Sequence, residues 1–444
     1  MSSSHTPAVV CQWFSRVASA LDPRSAPRLA RLLLGAILAR GRRTVTSWIR
    51  SVGLSGEYRR CYTTVAAAGK RTDAMATNVL YDVVKPLVAS QERVTLALDD
   101  TPTTRYGPEV QGAGIHHNPT PGPAGSPYVY GHVWVVLGLL AAHPLWGVIA
   151  LPLLARLYVR QKDLGSIDPW HRPPFRTKLA LAVELLEWAV RHLKAWGQSV
   201  WVVVDGAYAK APFLKPMKSL GVTVISRLRK DAALWTVPGP RPAGRRGRPR
   251  VYGADRIHLA KRAGQRRGWQ TGSFDLYGKT TVKRYKTFLA TWRPAGGVIR
   301  VVLVDEPTGW RAYFSTDPDV TVADILGAVA DRFALETTFR DVKDVVGAGQ
   351  QQVRFVWASV GALHLCLWTF TLTEAWAWGR REAELTGHRA ASPWDAQPRR
   401  PSHADKRRGW RRELLAQEFQ AVLRPGVSER EIAAVAERLL NLAA

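Results

Sequence analysis

The sequence predicts an α/β protein: a mixed sheet flanked by helices, broken by a β-rich insertion and enclosed by basic helical regions at both ends. Three observations carry this. Between Arg93 and Ser226, short apolar runs of strand type alternate with helical patterns. From residue 228 to 318 that rhythm gives way to a segment rich in Arg, Gly, Thr, Val and Tyr. Residues 1–90 and 379–444 combine helical spacing with clustered arginines.

The elements follow in order. Leu29 to Ala39 repeats Leu and Ala at helical spacing, and Arg40, Arg42 and Arg43 come next. Thr44 to Val52 and Tyr58 to Ala68 flank Gly53 and Gly56. A helix-turn-helix fits this pair, and so does a plain basic helical bundle. Val94 to Leu98 reads as a strand ending in Asp99 and Asp100, followed by a Gly/Pro-rich loop from Gly107 to Pro127. Val133 to Leu157 is long enough to span a bilayer, but His143-Pro144 and Pro152 interrupt it, as expected of two apolar strands joined by a turn. Phe175 to Trp196 is an amphipathic helix with Leu179, Val183, Leu186 and Val190 on one stripe.

Ser199 to Val204 is a strand ending in Asp205, Pro212 to Leu220 a short helix, and Val222 to Ser226 another strand. This order, strand-strand-strand-helix-strand-helix-strand, is that of a ribonuclease-H-like core with a mixed sheet. Strand-like stretches such as Tyr285 to Trp292 and Val298 to Val304 make the insertion β-rich. Thr321 to Val346 then reads as a helix holding Glu336, and Val353 to Trp378 as a buried core helix. The expected division is a helical DNA-binding region over 1–90, core over 91–227, insertion over 228–318, core completion over 319–378 and a basic helical region over 379–444.

Charge narrows the function. In 444 residues, 63 Lys and Arg face 35 Asp and Glu, a formal net charge of +28. Such an excess repels itself and is held against a polyanion, with nucleic acid first and an anionic membrane surface second. The 3 cysteines, Cys11, Cys61 and Cys366, lie far apart and fit neither a disulfide framework nor a zinc site. A reducing cytosol is expected, and no signal-peptide pattern opens the chain. A small secreted scaffold, an acidic tail protein and a coiled-coil rod are excluded.

Three carboxylates stand out by position: Asp100 at the end of the first strand, Asp205 at the end of the fourth, and Glu336 on the helix after the insertion. The first and fourth strands of such a sheet are neighbours, and the last helix crosses their edge. Three carboxylates gathered there repel unless divalent cations neutralise them. Oxygen donors suit Mg²⁺ or Mn²⁺. Two ions roughly 3.5–4 Å apart clamp the attacking and leaving oxygens of a phosphodiester. Neighbouring strand residues point to opposite faces, so only one of Asp99 and Asp100 can be the ligand.

The helix reads Arg332-Phe-Ala-Leu-Glu336-Thr-Thr-Phe-Arg-Asp-Val-Lys343. It resembles the Tyr-x2-Arg-x3-Glu-x6-Lys signature of bacterial insertion-sequence DDE transposases, with Val329 in place of the Tyr. Leu98-Asp-Asp-Thr101, Val204-Asp-Gly-Ala-Tyr208, Tyr313-Phe-Ser-Thr-Asp317, Ser226-Arg-Leu-Arg-Lys-Asp231 and Pro401-Ser-His-Ala-Asp405 agree with it, as does an insertion before the Glu. The resemblance implies that Asp100, Asp205 and Glu336 bind the metal ions and carry catalysis, and that Arg332 and Lys343 hold DNA phosphates. It also implies double-stranded DNA, terminal inverted repeats and target, as partner. An active complex of at least two copies in the bacterial cytoplasm, at the nucleoid, follows from it. Helical spacing independently puts Arg332, Glu336 and Lys343 on one face, though an i,i+4 salt bridge on a solvated helix has the same spacing.

Other residues add to this. Some members of the group flip a base onto a Trp of the insertion; Trp310 is the candidate here and Trp292 the alternative. The basic run Gly244 to Arg250, with Arg245, Arg246, Arg248 and Arg250, contains the Arg-Gly-Arg-Pro core of a minor-groove hook and reads equally as a solvated loop. The Arg-rich tail reads the same way. His116 and His117 lack a third metal ligand at a recognisable spacing. No phosphate-binding Gly-x4-Gly-Lys loop is present. The expected function is a transposase that cleaves element ends and joins the 3′-hydroxyls to target DNA. A non-catalytic DNA-binding derivative and a plain ribonuclease-H-like nuclease are the alternatives.

Overall fold

The computed structural model describes residues 6–118, 125–240, 247–389, 399–422, 426–433 and 435–436. The N-terminal region is helical: α1 (Thr6–Ala18), α2 (Ala26–Leu38), α3 (Val45–Ser51), α4 (Tyr58–Lys70), α5 (Thr72–Val79) and, after a π turn, α6 (Lys85–Val88). Thr44 starts α3 by accepting a hydrogen bond from the Ser47 amide. The core then runs β1 (Arg93–Thr104), β2 (Gly114–His117), β3 (Tyr128–His143), β4 (Gly147–Tyr158), α7 (Lys178–Leu193), β5 (Ser199–Val204), α8 (Ala211–Leu220) and β6 (Thr223–Leu228). The apolar run around His143-Pro144 is therefore the β3–β4 hairpin. β1 pairs in parallel with β5, and β5 with β6, while β3 lies antiparallel on the other edge of β1.

The insertion carries β7 (Leu234–Trp235), β8 (Arg256–Ile257), α9 (Leu259–Gly264), β9 (Gln270–Leu276), β10 (Lys279–Trp292), β11 (Gly297–Asp305) and β12 (Arg311–Ser315). It does not stand apart. β12 hydrogen-bonds to β6, and the described strands form one sheet in the order β2-β3-β1-β5-β6-β12-β11-β10-β7-β8, with β4 on β3 and β9 on β10. The mixed α/β core with its β-rich extension matches the expected fold class.

After the insertion come α10 (Val322–Asp331), α11 (Phe333–Asp341), a π turn (Val342–Val346), α12 (Val356–Ala377), α13 (Glu382–Thr386) and α14 (His403–Val422). Thr321 caps α10 by accepting from the Asp324 amide. α12 is apolar on all sides and long enough to cross a membrane, yet it is buried inside the protein. Its polar residues explain themselves. β4 is an edge strand with unpaired backbone groups. Trp368 donates to the Leu153 carbonyl, Thr371 to the Pro152 carbonyl, and His364 Nε2 accepts from the Ala155 amide. Glu374, also buried, pairs with Lys406 and His403 of α14.

The N-terminal helices build onto the same core. α4 crosses α12 so closely that a Cβ on Gly361 would lie 1.9 Å from the Val65 carbonyl oxygen, and one on Gly69 1.9 Å from that of Trp357. A single apolar cluster runs from Phe14 to Leu414. The inner face of α4 is thereby committed to α12 and is not free to enter a DNA groove.

Candidate active site

β1 and β5 bring two carboxylates to one end of the sheet. Their parallel register ends at Leu98 opposite Val204, which leaves Asp99 beside Asp205. The residues before Asp205 on its face, Trp201 and Val203, pack in the cluster under α10. Asp99 and Asp205 thus face the side on which α10 and α11 lie. Asp205 also accepts from the Ala207 amide and starts the turn after β5.

Arg332 sits at the joint between α10 and α11, with Glu336 one turn on. Its guanidinium is 2.5 Å from the Asp99 carboxylate and 2.6 Å from that of Glu336. Burial pushes the Asp99 carboxyl up to about 6, against the pull of Arg332. Burial works against the charge of Arg332, but Asp99, Glu336 and Asp205 together outweigh it and raise its pKa.

Asp100 points to the other face. Its carboxylate is 2.5 Å from the Lys178 ammonium at the start of α7 and 3.4 Å from the Tyr208 hydroxyl. Tyr208 is buried, and burial followed by the nearby carboxylates drives its pKa far up, so it keeps its proton for Asp100. Of the expected trio of Asp100, Asp205 and Glu336, Asp100 is held on the other face by Lys178, and it is Asp99 that shares the Arg332 guanidinium with Glu336. The Asp-Asp pair announced the choice, and only the strand register and the side of the helix decide it.

The remaining candidates fall in different places. Lys343 lies in the π turn, where the Gly347 amide bonds back to the Val342 carbonyl. It opens onto a neighbouring cleft with Arg42, Thr103 and Thr104. Burial lowers its pKa, opposed by Asp344. Trp310 is half-buried against the core, with the Lys230 ammonium 4.8 Å from its ring centroid. Trp292 is buried against Phe314. Arg248 and Arg250 lie in exposed coil, and Arg245 and Arg246 fall outside the described residues. His116 lies on β2, and burial lowers its pKa first.

One aromatic pair escaped the sequence reading. Tyr277, at the tip of the β9–β10 hairpin, has φ 56°, and its ring meets Phe333 edge-on at 6.1 Å. Phe333 follows Arg332 in the chain. A Tyr-Gly turn between alternating strands was the available signal.

A profile of DDE superfamily endonucleases matches residues 16–293. The chain belongs to that superfamily. The match covers Asp99, Asp100 and Asp205 and ends before Glu336. A comparison with curated proteins finds no match.

DDE endonucleases use divalent metal ions, and the donor set here is of the right kind: carboxylate oxygens, the ligands of hard cations. Among the described residues no three acidic, His or Cys groups are gathered closely enough to hold an ion as they stand. The cation between Asp99 and Glu336 is Arg332. The carboxylates of Asp99, Asp205 and Glu336 thus fit a divalent ion by their chemistry, and in this structure the positive charge among them is that of Arg332.

Proposed function

We propose that this DDE endonuclease is a DNA transposase of the insertion-sequence type. It binds the ends of its element, cleaves them and joins the freed 3′-hydroxyls to target DNA. The observation that carries the reading is the Arg332 guanidinium held by Asp99 and Glu336 beside Asp205. The signature helix thereby faces the two strand-end acids, as a phosphoryl-transfer site requires. The net charge of +28 supports DNA as the substrate.

Asp99, Asp205 and Glu336 would hold the divalent ions, a pair of Mg²⁺ or Mn²⁺. When bound, such ions lower the pKa of the attacking water or hydroxyl and stabilise the leaving oxygen. The chain's own residues do the rest. Arg332, released from its two carboxylates, turns its fork to a phosphate oxygen. Lys343 and Arg42 hold the backbone on the next cleft. Lys178 and Tyr208 fix Asp100 and so the end of β1. Tyr277 and Phe333 offer ring faces beside the reacting phosphate for an unstacked base. Two ends must be cut and joined together, so the active complex contains at least two copies, acting at the nucleoid.

The test uses purified protein, Mg²⁺ or Mn²⁺ and DNA carrying the element's ends, with Asp205→Ala and Glu336→Ala beside it. Metal-dependent cleavage and joining, lost in both variants, is the expected result. Cleavage without joining would reduce the reading to an endonuclease. Tight binding without cleavage, unchanged in the variants, would leave a non-catalytic DNA-binding protein.

A further inference from the structure

We propose that the cleft between α4 and the segment entering α12 binds an unpaired DNA strand. This rests on the DNA reading above and adds a second contact surface to it. With its inner face packed on α12, α4 turns Tyr58, Arg59, Tyr62, Thr63 and Ala66 the other way, at helical spacing. They form one wall of a cleft of about 930 Å³. The turn after β1, Arg105 to Val110, and the strap Gly349 to Phe355 form the others. Arg42, Tyr106, Gly349 and Gln350 also line a second cleft of about 680 Å³ that contains Lys343 and the end of β1. The two share walls, so a strand leaving the carboxylates along β1 meets Lys343, then Arg42, then α4.

The chemistry of the walls is that of a single-strand groove. Tyr106 is 78% exposed and Phe355 53%, with the Arg354 guanidinium 4.8 Å from the Phe355 ring centroid. The hydroxyls of Tyr58 and Tyr62 are tied to Arg50 and Thr46, which holds the rings in place. Arg42, Arg59, Arg354 and Lys343 outnumber Glu109 and Asp344 along the path. Cations that track a backbone, interleaved with open ring faces, recognise unpaired bases. A duplex hides its base faces and offers nothing to those rings.

The cleft is also pre-formed. Gln351 is buried and donates to the carbonyls of Arg43 and Gly347, while Arg105 donates to the Gln351 carbonyl. The strap is thus pinned to the α2–α3 connection, to the end of the π turn and to the turn after β1. A ligand entering finds its walls ordered already, which lowers the cost of binding.

The experiment measures fluorescence anisotropy of full-length protein, without metal, on labelled oligothymidylate and on a duplex of equal length. The double variant Tyr106→Ala/Phe355→Ala removes two exposed rings and is checked by its melting temperature. The expected result is that wild type binds both DNAs and the variant loses about tenfold on the single strand, with duplex affinity unchanged. Arg59→Gln/Arg354→Gln is expected to flatten the salt dependence on the single strand. Unchanged single-strand affinity in the ring variant, or equal loss on both DNAs, overturns the proposal. Wild type that binds duplex alone overturns it too and leaves the DNA reading standing. Wild type that binds neither overturns both.

Discussion

Asp99 and Glu336, 237 positions apart in the chain, are held to the same guanidinium, that of Arg332, at 2.5 and 2.6 Å. The arrangement makes Arg332 a competitor for any cation that the two carboxylates would bind. Arg332→Ala is therefore expected to tighten Mn²⁺ binding to the DNA-free protein several-fold. DNA cleavage should fall by about 100-fold or more, because a phosphate then loses its charge partner. Electron paramagnetic resonance of free Mn²⁺ measures the first effect. Unchanged or weaker Mn²⁺ binding would mean that the ion does not enter between these carboxylates.

The faces of β1 separate its two acids. Asp99→Asn is expected to abolish cleavage while the protein stays folded. Asp100→Asn removes only the partner of Lys178 and Tyr208, and cleavage should stay within about tenfold of wild type, in line with a contact that positions rather than reacts. Cleavage assays on both variants read the difference directly. The reverse ranking would return the metal-binding role to Asp100.

The buried carboxylate of Glu374 ties α14 to α12. Burial alone would raise its pKa, but Lys406 and His403 overcome this and hold it at about 2, below its ordinary 4.5. A depressed carboxyl stabilises the fold above its unfolded pKa, and that contribution is lost as pH falls from about 4.5 toward 2. Lys406→Met leaves the acid without its ammonium and should destabilise the protein by about 3–5 kcal/mol. Acid unfolding of the variant, followed by circular dichroism, should begin at higher pH than in wild type. An unchanged acid transition would contradict the role given to this pair.

The crossing of α4 and α12 leaves no room for a methyl group at Gly361. Gly361→Ala would have to push α4 outward, at a cost of about 1–3 kcal/mol or more. Calorimetry should show a melting temperature lower by several degrees. Gly56→Ala, at a position with open space around its Cβ, is the control and should leave stability within about 0.5 kcal/mol.

The local features are legible in the order of residues alone. Alternating apolar runs gave the strands, the spacing of Leu and Ala gave the helices, and Arg332 and Glu336, four apart, had to share a helix face. Charge pointed to a polyanion. Strand ends and the signature helix singled out the acidic positions, and the motif marked the superfamily.

Which of Asp99 and Asp100 lies with Arg332 and Glu336 emerges from packing. That depends on which face of β1 the chain turns to α11 after more than 200 intervening residues, a relation no local pattern contains. The same holds for the insertion, whose β12 finds its partner in β6 through long-range hydrogen bonds. It holds for α4, whose two glycine contacts with α12 appear only when the helices cross. Lys343 lines the neighbouring cleft from a π turn, where the backbone departs from the α pattern as Gly347 reaches back to Val342. Periodicity reads one element at a time; the site is made where elements distant in sequence meet, and their packing selects the face.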